Sequence, residues 1–179
     1  MNGRALYQNS GVDVEKGEKL VKWLENGDKK TESKKDLSDF SASYEPDFSS
    51  YKKPLLISST DGVGTKLLLA LEEDKLENLG FDLVGMCVND LYTSGAKPLF
   101  FLDYYATSYL DENQFKRVLS SINEALSMIS CSLLGGETAE LPGLYHKGHF
   151  DLAGFVVGSV DKENRMSPSY TEETETELT

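Results

Sequence analysis

Basic side chains are scarce in this chain: 18 Lys and Arg stand against 30 Asp and Glu, a formal net charge of −12. That balance argues against nucleic-acid backbones and anionic membranes as partners, because both are gripped by excess positive charge. Any polyanionic substrate must be held by local donors and metal ions. Solubility alone also accounts for much of the acidity. Long apolar runs are missing as well. The longest span residues 67–71 and 98–102, far short of the roughly 20 residues a membrane helix needs. Met1-Asn2-Gly3-Arg4 carries no hydrophobic signal core, so export is not expected and the chain reads as cytoplasmic. Cysteine is limited to Cys87 and Cys131. Their wide separation and apolar settings predict reduced, buried thiols rather than a paired metal site. No histidine lies near either in sequence, which argues against a catalytic cysteine.

What is present suits one substantial core with untidy ends, since 179 residues exceed what a single domain requires. Residues 1–53 read as an N-terminal helix and a mobile arm. The helix is expected over 13–26, with Asp13 as N-cap and Val14, Leu20, Val21 and Leu24 on one side. The arm is polar and anchored only by Leu37, Phe40, Tyr44 and Phe48. Residues 54–162 read as an α/β domain, and 163–179 as an acidic tail expected to be disordered from Ser167.

Within the domain, strands are expected at 54–58, 98–106, 131–134 and 150–160. Helices are expected at 66–79 and at 81–91, the second carrying Phe81, Val84, Val88 and Leu91 and ending at Gly95. A third follows the Asp111/Gln114 capping pattern, with Phe115, Val118, Leu119, Ile122, Leu126 and Ile129 as its stripe. The stretch 135–143, rich in glycine and closed by Pro142-Gly143, is not expected to be regular throughout.

Chemistry is concentrated in Ser59-Thr60-Asp61-Gly62-Val63-Gly64-Thr65-Lys66, between an expected strand and an expected helix. Gly62 and Gly64 let the backbone approach a ligand, the following helix start offers N–H groups to an anion, and Lys66 brings a movable charge. A plain reversal of the chain would use the same residues. The P-loop is excluded because Lys66 follows Thr65 instead of preceding a hydroxyl residue, and the dinucleotide fingerprint fails at Leu67.

Asp61, Asp90 and Glu137, the last directly after Gly135-Gly136, stand beside special backbone. Such acids suit magnesium, which takes one or two carboxylates and completes its shell with phosphate oxygens and water. Bland alternatives stand beside each. Asp90 fits a helix-end acid, and Asp103 a hydrogen-bonded acid at a sheet rim. Glu140 reads as a solvated or supporting acid. His146 and His149 fit an exposed loop, and Tyr104-Tyr105 fit core packing. The residues alone lead to a magnesium-phosphate site, with ATP as the candidate ligand.

Taken together, residues 60–66, Met86-Cys87-Val88-Asn89-Asp90-Leu91, the aromatic run 98–106, and Gly135-Gly136-Glu137-Thr138-Ala139-Glu140-Leu141-Pro142-Gly143 resemble one family, the aminoimidazole ribonucleotide synthetases, or phosphoribosylformylglycinamidine cyclo-ligases. Tyr7-Gln8-Asn9-Ser10-Gly11-Val12-Asp13 fits the same family. The resemblance covers roughly residues 5–160, the amino-terminal half of a family member.

It implies an α/β fold with a mixed sheet, helices on one side, and strands shared in a dimeric β-barrel, hence a homodimer. It further implies ATP-dependent closure of formylglycinamidine ribonucleotide to aminoimidazole ribonucleotide in purine biosynthesis, with ADP and phosphate released. The matching motifs place Mg2+ on Asp61 and Asp90, with Glu137 as a further metal or substrate group. Lys66 falls at the phosphate, and Gly62, Gly64, Thr65, Asn89, Gly135 and Gly136 fall around the nucleotide. Asp61, Lys66, Asp90 and Glu137 are the expected catalytic set. With the carboxy-terminal half absent, the chain is expected to be catalytically incomplete. A non-catalytic nucleotide-binding or dimerisation module, and a related ATP-dependent small-molecule kinase or selenophosphate-type synthetase, are the competing readings. One departure is visible: in residues 37–44, where many members carry a glycine-rich run, glycine is missing.

Overall fold

A computed structural model describes residues 41–167. The helix expected at 13–26, the arm up to residue 40 and the tail after Ser167 lie outside the described residues. Four strands and three helices follow one another in the order β1 (Pro54–Gly62), α1 (Lys66–Glu72), α2 (Leu79–Tyr92), β2 (Lys97–Thr107), α3 (Glu112–Met128), β3 (Ser132–Glu140) and β4 (Phe150–Asp161), with a 3-10 turn, Lys162–Asn164, after them.

The sheet order is β1-β4-β2-β3, so the last strand in sequence inserts between the first and second. β4 pairs antiparallel with both neighbours, whereas β2 and β3 are parallel. A parallel pair requires a crossover, and α3 supplies it. The result is a mixed sheet with its helices on one face, as the resemblance implies.

The core lies between that face and the helices. Phe101 and Tyr105 of β2 and Leu152 and Val156 of β4 meet Leu83 and Leu91 of α2 and Leu119, Ile122 and Leu126 of α3, all fully buried. Each such side chain contributes about 1.5–3 kcal/mol relative to exposure. Tyr105 stacks on Phe150 at 4.7 Å and meets Phe115 edge-on at 5.3 Å, so the two adjacent tyrosines divide: Tyr105 packs the core while Tyr104 faces outward. α3 starts where its sequence says, because the Asp111 carboxylate accepts from the amides of Asn113 and Gln114, both at 2.9 Å. α2 and α3 approach closely at Gly80, whose amide donates to Ser121 Oγ at 2.9 Å.

Three boundaries differ from expectation. The helix expected over 66–79 stops at Glu72. Acids Glu72, Glu73 and Asp74 crowd its C-terminal end, where the helix dipole disfavours negative charge, and Asp74 turns into the left-handed region at φ +51°. β1 continues past residue 58 to Gly62, held by β4 down to Ala153. β3 likewise runs straight through Gly135-Gly136-Glu137 to Glu140, so irregular backbone begins only at Leu141. Its pairing with β2 skips Leu134, so that Gly135 faces Leu102 and Gly136 faces Asp103.

The other sheet face is open over much of its area. Leu56, Tyr104 and Phe155 are 64%, 41% and 37% exposed there. The described end of the arm covers one margin, with Tyr44 against Phe100 at 5.2 Å and Tyr51 Oη accepting from Ser159 Oγ at 2.9 Å.

Candidate functional site

Strand register sets a row of four residues across the helix-side face: Asp61 of β1, Gly154 of β4, Asp103 of β2 and Gly136 of β3. Two acids thus alternate with two glycines, and each glycine makes room for something. A Cβ at Gly154 would lie 2.3 Å from the ring of Phe101 and 3.0 Å from Cys87 Sγ. One at Gly136 would lie 2.1 Å from Asp103 Oδ1. The Asp103 carboxylate therefore rests over Gly136, and that glycine is needed for space, its φ being outside the left-handed region. Asp103 belongs to an inner strand and is 9% exposed, which corrects its expected place at a sheet rim.

Asp61, the penultimate residue of β1, is half-buried, its Oδ1 accepting from the Gly62 amide at 2.7 Å. The turn that follows is only Val63-Gly64-Thr65. Gly64 adopts φ +68°, and a Cβ there would meet open space, so glycine serves conformation at this point. Thr65 caps α1 without a side-chain hydrogen bond. Lys66, the first residue of α1, places Nζ 2.9 Å from Asp82 Oδ2. With seven residues, α1 is too short for a strong terminal dipole, so positive character here rests on Lys66 and the turn amides.

α2 passes over β1 and β4 with Cys87 against Gly154 and Leu91 against Gly158. The Cys87 thiol leans on the Asp61 carbonyl at 3.9 Å. Burial pushes it up to about 11, and the negative charges of both Asp61 and Asp90 push in the same direction. Asp90 and Asn89 are exposed on the last turn of α2, where the Asp90 carbonyl accepts from Thr93 Oγ1 at 2.6 Å. Cys131 is raised by burial to about 12. Both cysteines are free and buried, as expected. Ser59 Oγ, two residues before Asp61 on the same face, is buried with no hydrogen-bond partner among the described residues.

The structure brings Asp61, Gly62, Gly64, Thr65 and Lys66 together at one end of β1, while Asn89 and Asp90 sit on the last turn of α2. It does not gather Glu137 with them. Glu137 pairs with Tyr104 on the open face of β3, three strands from β1, a separation of about 14 Å at the usual strand spacing. Gly135 and Gly136 share that distant edge. Two hard carboxylates suit magnesium, whose remaining positions water and phosphate oxygens fill. Among the described residues no group of three or more His, Cys, Asp or Glu could hold an ion unaided. Asp82 was missed in sequence, although it lies eight residues before Asp90 on the same helix, at the spacing of one stripe.

The AIR synthase related protein N-terminal domain model matches residues 49–160. The phosphoribosylformylglycinamidine cyclo-ligase of Caldanaerobacter subterraneus subsp. tengcongensis is 47% identical over 166 residues, covering 91% of this chain and 49% of the relative. That of Prochlorococcus marinus strain AS9601 is 48% identical over 164 residues, covering 90% and 47%. The chain spans about half the length of these relatives. Among solved structures, the hydrogenase maturation protein HypE of E. coli superposes with a TM-score of 0.58 at 17% identity, covering 83% of this chain and 44% of that one. Thiamine-monophosphate kinase of Stenotrophomonas maltophilia K279a gives 0.52 at 16%, covering 64% and 34%. These structural likenesses speak for the fold. The family match takes in well over half of the sequence and all but the last residue of the sheet, and the chain belongs to the AIR synthase related proteins through their N-terminal domain.

Proposed function

We propose that this chain is the nucleotide-binding half of a cytoplasmic ATP-dependent cyclo-ligase that closes formylglycinamidine ribonucleotide to aminoimidazole ribonucleotide in purine biosynthesis. The observation that supports the reading is the family match over residues 49–160, within which Asp61 stands beside a turn that Gly64 takes at φ +68°. Relatives named cyclo-ligases at 47% and 48% identity supply the reaction. A HypE crystal structure described as a complex with ATP superposes at a TM-score of 0.52, and that likeness speaks for the shared fold alone.

When bound, Mg2+ and ATP would supply a phosphoryl group able to turn the formyl amide oxygen into a leaving group. The chain's own task is positioning and charge neutralisation. Asp61 and Asp90 would hold the cation through hard oxygens. Lys66 would exchange its ion pair with Asp82 for a phosphate oxygen. Gly62, Gly64, Thr65 and Asn89 would shape and donate to the nucleotide's surroundings. Glu137, on the open face with Gly135 and Gly136 behind it, is proposed for the substrate side. Turnover is proposed for a protein that also carries the second half found in the relatives.

Titration calorimetry with Mg·ATP tests the metal pair. Asp61→Asn and Asp90→Asn should each weaken binding by roughly tenfold or more, because each removes a charged ligand, while the urea midpoint of the fold stays unchanged. Undiminished affinity in Asp61→Asn would remove the basis of the assignment.

The open sheet face supports an accompanying proposal, that two copies meet there as a homodimer with β1 and β3 as the edges. An apolar face of this kind marks an interaction surface. A module that only binds nucleotide and dimerises is the competing reading, and conversion of formylglycinamidine ribonucleotide by the full-length protein, lost in its Asp61→Asn form, separates the two.

A further inference from the structure

α1 is the least secured element beside the proposed site. It has seven residues, no side-chain cap, and buries only Leu67 and Ala70. Helices below about 12 residues do not persist by their own hydrogen bonds, so its position must be imposed at its ends. At the start, the Val63 amide donates to the Leu152 carbonyl at 3.1 Å and Lys66 pairs with Asp82. At the far end, a single side chain from another element takes hold.

That side chain is Arg117 of α3. Its Nε donates to Glu77 Oε1 at 2.7 Å, its Nη2 donates to the Asp74 carbonyl at 2.7 Å, and its Nη1 donates to Asp74 Oδ1. The guanidinium fork thus spans both ends of the α1–α2 connection and grips backbone as well as carboxylates. Both hydrogen-bonded carboxylates raise its proton affinity further. Asp74 is the residue at φ +51°, a conformation that an L side chain rarely adopts. The Lys75 amide reaches back to the Ala70 carbonyl at 2.8 Å across the same bend. An exposed ion pair alone is worth little. A planar fork that fixes one carbonyl and two acids in set directions differs, because it specifies a shape.

We infer that Arg117 is a positioning residue: it clasps the bend at Asp74, and through α1 it sets where Lys66 and the Val63–Thr65 turn stand relative to Asp61 and Asp90. The importance of that placement rests on the nucleotide reading given above. The clasp itself rests on geometry alone. Lysine cannot replace the fork, since one ammonium cannot reach three acceptors in a plane. Glycine at position 74 removes the need for the fork, because the bend then costs nothing.

The test compares the wild-type chain with Arg117→Gln, Arg117→Lys and the double variant Arg117→Gln/Asp74→Gly by amide hydrogen exchange and by Mg·ATP titration. In both single variants, exchange over residues 63–78 should rise roughly tenfold, as expected for local opening, while β2 and β4 keep their protection. Mg·ATP affinity should fall with an unchanged urea midpoint. The double variant should recover both. Unchanged exchange over 63–78 in Arg117→Gln, a rise shared equally by β2 and β4, or failure of Asp74→Gly to restore protection would each overturn the clasp. Affinity unaltered in a variant whose α1 has loosened would overturn its link to the site. A wild-type chain that binds no Mg·ATP, with the exchange results as expected, would overturn the nucleotide reading and leave the clasp supported.

Discussion

At Gly136 the scale that matters is one hydrogen atom. The Asp103 carboxylate occupies the volume a methyl would take, with 2.1 Å between Oδ1 and the position of a Cβ. Gly136→Ala should therefore destabilise the protein by about 1–3 kcal/mol, the usual cost of overpacking, measured by urea denaturation. Adding Asp103→Ala should return part of that loss, since the two changes share one space and cannot be additive. Sequence reading placed Gly136 around the nucleotide and read Asp103 as a hydrogen-bonded acid at a sheet rim. The register shows that one is the seat of the other, a relation between residues 33 positions apart on strands whose pairing skips Leu134. No local pattern carries that information.

Secondary elements were legible where their own residues decide them. α3 is written in Asp111, Gln114 and a stripe beginning at Phe115, and it forms as read. The stop of α2 was equally plain, since the helix ends at Tyr92 and Gly95 turns the chain at φ +71° just after it. What escaped the sequence was decided by neighbours. β3 extends through two glycines because β2 offers it a parallel partner on both sides of the register shift at Leu134, while α1 is cut short by acids that would otherwise be ordinary helix residues. The site followed the same division. Asp61, Gly64, Lys66 and Asp90 were visible as a glycine turn and a helix-end acid, whereas the ion pair between Lys66 and Asp82 needed the helices to be packed. The packing of α2 on α3 depends on Gly80. A Cβ there would stand 2.1 Å from the Ile122 amide nitrogen and 2.4 Å from Ser121. Gly80→Ala should push α2 off α3 and lower stability by about 3 kcal/mol or more, the upper part of the overpacking range, with a matching fall in thermal midpoint.

For the molecule as a whole, the asymmetry of the sheet is the dominant feature. Among the described residues, one face carries the three helices, while the other shows Leu56, Tyr104 and Phe155 to solvent. If two copies close over it, Leu56→Asp should convert a dimer to a monomer in sedimentation velocity at micromolar concentration while leaving Mg·ATP binding to the Asp61 side intact. A wild-type chain that sediments as a monomer throughout would count against the shared barrel.

Strand order carries a consequence for how the chain is made. β1 touches only β4 within the sheet, and β4 begins 88 residues after β1 has ended. As the polypeptide emerges from a ribosome, Pro54–Gly62 must wait without a strand partner while β2, α3 and β3 assemble, because β4 is the keystone that joins the two halves of the sheet. The residues proposed to grip the cation take up their places only when that stone is set, so an arrested chain ending before Phe150 carries the motif but not the site.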